Sequence, residues 1–277
     1  MLTVVSTRDV EWHVFHGSQA EAYEKFLVPA IFAPMAADLV DRASPRSGER
    51  VVDIACGTGI VARKAARRVG RVGRVAGVDL NPTMLEVAAR ESSGTRPLID
   101  WLEARAESMP LDDESFNLVL CQQGLQFFPD RLAALSEMRR VLVKGGRILI
   151  SVWRDVGRGF DVLAACLGRH ISVDAGGALA KGPASLRDGE ELTRLMKQAG
   201  FSEITLETVT VSMRFASPAE FVHQYVNATP LAGPVAQASQ SARDQLVDDV
   251  SEHLRDLVGK DGLAFKGETN IAIGVRA

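Results

Sequence analysis

At 277 residues, with 46% hydrophobic and 24% charged side chains, the chain can bury one full core and holds one large domain, or one domain with a cap. A formal net charge of −3, with no basic run standing beside aromatics, excludes an electrostatic footprint for nucleic acid. Three cysteines outside C-x-x-C spacing exclude a disulfide framework, and the lack of a leader-like or bilayer-long apolar run predicts a cytoplasmic protein without a membrane span.

The elements alternate from residue 50 onward. Residues 50–55 read as a first strand, and 58–69 as a helix with Val61, Ala62, Ala65, Ala66 and Val69 on one stripe. Residues 74–79 form a second strand. Asn81 as N-cap and Pro82 at the first helical position open a helix directly after it. Residues 99–103 and 116–121 are the third and fourth strands. Asp130 caps a helix carrying Leu132, Leu135, Met138 and Leu142, and Lys144-Gly145-Gly146 turns into a fifth strand over 147–153.

Beyond this point 160–170 reads as helical, 174–183 as a loop rich in Gly and Ala, and 189–198 as a helix. A long strand follows over 201–213. Ser217-Pro218-Ala219-Glu220 is a capping box opening a helix through Val226. A further helix is expected over 242–258 and a last strand over 270–276. The βαβα order implies an α/β fold with a parallel sheet and right-handed crossovers. The nucleotide-type domain is expected over 47–216 and 263–277. Residues 1–46 and 217–262 lie outside it as an N-terminal helical segment and a helical insert, which together are expected to cap the cleft and exclude water.

Residues 51–60 read Val-Val-Asp-Ile-Ala-Cys-Gly-Thr-Gly-Ile. A β-branched run ends in Asp53, a turn on Gly57 and Gly59 follows, and Asp79 closes the next strand. A glycine turn after one parallel strand and an acidic residue ending its neighbour can hold a nucleoside, the carboxylate accepting from ribose hydroxyls. The stretch from Gly57 to Ala62 also fits the dinucleotide pattern G-x-G-x-x-A. An NAD-dependent oxidoreductase is therefore an alternative, although Asp53 sits where a pyrophosphate would have to be received and suits a ligand with a cationic end.

The motif resembles the first motif of the class I S-adenosylmethionine-dependent methyltransferases, in the variant of the ubiquinone/menaquinone-biosynthesis C-methyltransferases and related small-molecule enzymes. Residues 103–111 resemble that family's adenine-contact turn, 112–121 its Asp-x-Ser-Phe-Asp-x-Val strand, and 135–146 its Glu-x-x-Arg-Val-Leu-Lys-Pro-Gly-Gly segment. The resemblance implies a Rossmann-like seven-stranded, mostly parallel sheet with only the last strand antiparallel, helices on both faces and a small helical cap. It implies S-adenosyl-L-methionine as cofactor, S-adenosyl-L-homocysteine as product and a small-molecule methyl acceptor such as a quinone precursor or natural product. A protein that binds the cofactor without methyl transfer is a further alternative, because fold does not fix reaction.

By position, the resemblance assigns Asp53, Ala55, Gly57, Thr58 and Gly59 to the turn beside the methionine half of the cofactor. Asp79 is assigned to the ribose, Leu80 and Met84 to the adenine face, Ala106 and Glu107 to its edge, and Gln122 to the methionine part. Arg105 stands where the family often carries Asp, and a guanidinium cannot accept from the adenine amino group. Gln123, Gln126 and Phe127 follow the fourth strand, where the acceptor docks, and suit a flat or apolar molecule with a few polar handles. Tyr23 and Tyr225, in the two cap pieces, are candidate pocket walls. His16 and His223 are the candidate general bases. No spacing suits a metal, so none is expected. The apolar and aromatic cap residues would also serve a homodimer face.

Overall fold

The computed structural model describes Trp12 and residues 17–277. The N-terminal region runs as one rod in three pieces. These are α1 (Gly17–Ala22), a π-helical stretch Tyr23–Phe32 with Pro29 inside it, and α2 (Ala33–Ala43). The nucleotide-type alternation follows with β1 (Arg50–Ile54), α3 (Ile60–Val69), β2 (Arg74–Asp79), α4 (Pro82–Glu91), β3 (Ile99–Glu103) and β4 (Phe116–Gln122). Next come α5 (Arg131–Val141), β5 (Leu142–Asp155), α6 (Arg158–His170), α7 (Val173–Lys181), α8 (Gly189–Gln198) and β6 (Phe201–Phe215). The chain closes with α9 (Pro218–Asn227), α10 (Ala232–Gln237), α11 (Gln240–His253), β7 (Val258–Gly259) and β8 (Gly262–Arg276).

The sheet order is β3-β2-β1-β4-β5-β8-β6, with the short β7 paired to β8. β1 to β5 run parallel, and β8 lies antiparallel between β5 and β6. This is the expected α/β sheet with its last strand reversed, and β7 is a small hairpin arm added to it. Its turn is Lys260-Asp261, closing on Gly262 at φ 94.

The two sheet faces bury different sets of side chains. Val52, Ile54, Phe116, Val119, Cys121, Ile148 and Ile150 point to one face, where Leu135, Met138, Leu192 and Met196 of α5 and α8 cover them. Val51, Val75, Leu118, Leu120 and Leu149 point to the other, against α3 and Ala36, Leu39 and Val40 of α2. This is the alternation a doubly covered sheet requires. A third apolar cluster lies beyond the sheet. Leu27 and Ile31 of the π-helical stretch, Phe160 and Leu163 of α6, Leu179 of α7, Phe221 and Tyr225 of α9, and Leu246 and Val250 of α11 share it.

Three expectations are corrected here. Residues 174–183 are mostly helical, as α7, not a loop. Gly176 is not a breaker: a Cβ on it would stand 2.5 Å from the Ala164 carbonyl oxygen and 2.7 Å from the Gly168 Cα, so it lets α6 and α7 approach closely. The helix expected over 242–258 stops at His253, and the last strand starts at Gly262, well before residue 270. α10 and β7 were not expected.

Candidate functional site

The connections change direction between β1 and β4, and a cavity of about 230 Å³ opens at the carboxyl ends of these strands. One wall is the turn after β1. Ala55 takes φ 54, a left-handed conformation uncommon for a residue with a Cβ. The Gly57 N–H donates to Asp79 Oδ2 at 2.8 Å, and the Asn81 N–H donates to Asp79 Oδ1 at 2.9 Å. The β2 carboxylate is thereby tied to the β1 turn. Asn81 in turn caps α4, its Oδ1 accepting from the Thr83 and Met84 N–H groups.

Asp53 lies beneath this turn, 1% exposed, and its Oδ2 accepts the Ala62 N–H at 3.0 Å. Burial pushes its carboxyl well above the ordinary aspartate range; the Ala62 hydrogen bond opposes the rise and the charge of Asp79 adds to it. The same bond occupies a donor in the first turn of α3. A dinucleotide pyrophosphate would need such donors free and no carboxylate beside them, so the arrangement disfavours NAD.

The turn after β3 makes a second wall with Ala104, Arg105, Ala106 and Glu107. Glu107 Oε2 lies 3.5 Å from Arg105 Nε, while its Oε1 is buried without a hydrogen-bond partner. The turn is held from behind by α5. Glu137 accepts the Met109 N–H at 2.8 Å, and Arg140 donates to Glu137 and to the carbonyls of Met109 and Leu111. The Arg140 hydrogen bonds hold the Glu137 carboxyl below its usual range, against the effect of burial.

The last residue of β4 and the segment after it make the third wall. Gln122 Nε2 donates to the Phe32 carbonyl at 3.2 Å, which leaves Gln122 Oε1 buried and unpartnered. Gln123 takes φ 56, and the Phe127 ring lies 5.8 Å from that of Trp12. The roof comes from the π-helical stretch and α9. Tyr23 stacks on Phe32 with centroids 5.0 Å apart, and Phe160 meets Tyr225 edge-on at 4.8 Å. Burial pushes both tyrosine hydroxyls up, with Asp79 and Glu24 adding to the effect at Tyr23.

Of the residues singled out from the sequence for the cofactor, Ala55, Gly57, Asp79, Leu80, Met84, Ala106, Glu107 and Gln122 line this cavity. So do Tyr23, Gln123, Gln126, Phe127 and Tyr225 from the acceptor set. Asp53, Thr58 and Gly59 stand behind the wall, where Thr58 is buried and Gly59 packs under Trp101. α9 turns Val222, Tyr225 and Val226 inward at helical spacing and leaves His223 exposed, so His223 is not brought to the cavity. His16 lies outside the described residues. Sequence reasoning missed Trp12, Phe32, Asn81, Trp153 and Thr229 as wall residues. Asn81 carried a signal, since an N-cap directly after the ribose-type aspartate must sit at the same strand end; a π-helical wall has no comparable periodicity. Among the described residues, no group of three His, Cys, Asp or Glu is placed to hold a metal, and no helix is long and apolar enough to cross a membrane.

A methyltransferase-domain family model matches residues 52–150. The ubiquinone/menaquinone biosynthesis C-methyltransferase UbiE of Hahella chejuensis is 34% identical over 174 residues, covering 58% of this chain and 70% of that protein. The corresponding protein of Klebsiella pneumoniae is 28% identical over 225 residues, covering 74% of this chain and 88% of that one. Among solved structures, phosphoethanolamine N-methyltransferase 2 of Haemonchus contortus, in complex with phosphomonomethylethanolamine and S-adenosylhomocysteine, aligns with a TM-score of 0.60 at 22% identity. That alignment covers 93% of this chain and 56% of the other, and it shows a shared fold.

Proposed function

The chain belongs to the class I S-adenosylmethionine-dependent methyltransferases, of the ubiquinone/menaquinone C-methyltransferase-like type, and we propose from this how its own residues serve the reaction. It methylates a small-molecule acceptor with S-adenosyl-L-methionine. The residues at the strand ends fit that cofactor. Glu107 Oε1 and Gln122 Oε1 are buried acceptors without partners, suited to a ligand rich in N–H and O–H donors. Leu80 is 36% exposed at the rim, suited to covering a flat base.

In this reading Asp79 takes the ribose hydroxyls, Leu80 and Met84 lie along the adenine, and Ala106 and Glu107 meet its edge. Ala55, Gly57 and Gln122 hold the methionine half, while Asp53, Thr58 and Gly59 shape that turn from beneath. Bound S-adenosylmethionine supplies a methyl group already activated by the sulfonium charge. The protein's work is therefore alignment of the acceptor and exclusion of water. Tyr23, Gln123, Gln126, Phe127 and Tyr225 form the acceptor side, with the tyrosine hydroxyls kept protonated by burial. His16 lies in sequence between Trp12 and Tyr23, which both line the cavity, and it is our candidate base for an acceptor that must lose a proton. His223 is not retained in that role.

The cap is proposed to comprise residues 1–46 and 217–262. Its apolar cluster with α6 and α7 supports counting these two helices with it. The acceptor is proposed to be a neutral, largely apolar ring compound such as a quinone precursor. The observation that carries this is the wall of Trp12, Tyr23, Phe32, Phe127, Phe128 and Trp153, in which the described charged residues are only Asp79, Arg105 and Glu107. A cytoplasmic homodimer belongs to the same proposal and is open to sedimentation. The test of the acceptor class is methyl-labelled S-adenosylmethionine incubated with neutral phenols and quinone precursors. Label transfer with matching S-adenosylhomocysteine formation supports the reading. Label moving only to charged, non-aromatic acceptors contradicts it.

A further inference from the structure

The amide of Gln126 is not free to choose its orientation. The Thr269 hydroxyl lies 2.8 Å from the Val152 carbonyl, which can only accept, so the hydroxyl must donate there. Its contact with Gln123, at 2.9 Å, must then be one it accepts, and the Gln123 atom facing it is Nε2. Gln123 Oε1 consequently faces Gln126, at 3.2 Å, and the Gln126 atom facing it is Nε2. The series ends on Gln126 Oε1, in a side chain only 3% exposed that lines the cavity, and this oxygen has no partner. A backbone carbonyl on β5 thus sets, through three side chains, the polarity of an atom at the acceptor side.

We propose that Gln126 is a specificity-determining residue whose carbonyl oxygen, oriented by Gln123 and Thr269, selects an acceptor that donates a hydrogen bond over one of the same shape that cannot. The proposal rests on the acceptor side of the cavity being as described above. A buried oxygen left unpaired makes the site reject a ligand lacking the donor more strongly than shape alone would. Gln123 and Thr269 are positioning residues in this scheme, acting through Gln126. Without the Thr269 hydroxyl the Gln123 amide can turn over, the Gln126 amide can follow, and the site can then offer an N–H instead of a carbonyl.

The experiment is calorimetric titration of the full chain saturated with S-adenosylhomocysteine, using 1-naphthol and 1-fluoronaphthalene as a pair of nearly the same shape that differs in the donor. The wild type is expected to prefer the naphthol by about tenfold or more. Gln126→Leu should bring the ratio close to one. Thr269→Val should lower the ratio, while Thr269→Ser, which keeps the hydroxyl, should restore it; a merely structural role for Thr269 would weaken both ligands equally. An unchanged ratio in Gln126→Leu overturns the proposal, as does failure of both probes to bind while S-adenosylhomocysteine still binds. Failure of S-adenosylhomocysteine itself to bind would instead overturn the cofactor reading on which the proposal stands.

Discussion

Glu137 on α5 accepts the backbone N–H of Met109 at 2.8 Å, and Arg140, one turn further along, donates to the carbonyl of the same residue. The pair grips both backbone polar groups of one residue in the turn that carries Ala106 and Glu107. Glu137→Gln keeps the shape but loses the ion pair and one charge-assisted bond, and should cost about 1–2 kcal/mol in urea denaturation at neutral pH. Because the Glu137 carboxyl titrates below its ordinary value of 4.5, its contribution is present above that pH and lost as pH falls through the depressed value. The stability difference between wild type and variant should therefore shrink in acid; a difference that grows below pH 4.5 would refute the assignment.

Asp53 presents the opposite case. Its carboxyl is raised by burial, so its ionised form opposes folding of the free protein; the stabilising protonated state is complete below the ordinary value near 3.8 and is lost as pH rises through the raised one. Asp53→Asn retains an acceptor for the Ala62 N–H. It should make the ligand-free protein more stable than wild type at pH 7 to 8 in thermal melts, with the advantage fading towards acid. The same variant should bind S-adenosylmethionine less well, because a cationic ligand end loses a nearby carboxylate. Equal affinity in the two proteins would remove Asp53 from the cofactor reading.

Gly59 sits at φ 84, and a Cβ placed there would lie 2.3 Å from the Trp101 ring. Gly59→Ala therefore combines a left-handed strain of about 1–2 kcal/mol with overpacking of about 1–3 kcal/mol. Trp101→Leu should relieve the second part and not the first. Chemical denaturation of the two single variants and the double variant reads this directly, as a recovery that is partial. Full recovery would mean that the backbone conformation carries no cost.

Much of this was legible in the chain because the informative residues are local. The Asp53-to-Gly59 turn and the Asn81 cap each signal within a few positions, and the first six helices and strands from β1 follow from periodicity and turn residues. The misses share a cause, which is tertiary contact overriding a local signal. Gly176 looks like a breaker and is, with Gly168, the contact between α6 and α7. The helix expected over 242–258 ran over the start of the β7 hairpin arm, which begins at Val258. The wall built by Trp12, Phe32 and Thr229 has no sequence period, since it is assembled from segments far apart in the chain. His223 was singled out for its chemistry, but the inward stripe of α9 passes through Tyr225 and leaves it outside.

The central claim is that the joined ends of β1 and β2 bind the methyl donor. Calorimetric titration with S-adenosylmethionine, S-adenosylhomocysteine and NAD, on wild type and on Asp79→Ala, tests it most directly. Removing Asp79 takes away the carboxylate assigned to the ribose and releases the Gly57 and Asn81 N–H groups it now holds. The account predicts micromolar binding of the first two ligands, weakened about 100-fold or more in the variant, with no measurable heat from NAD. NAD binding in place of S-adenosylmethionine, or unaltered affinity in Asp79→Ala, would contradict it.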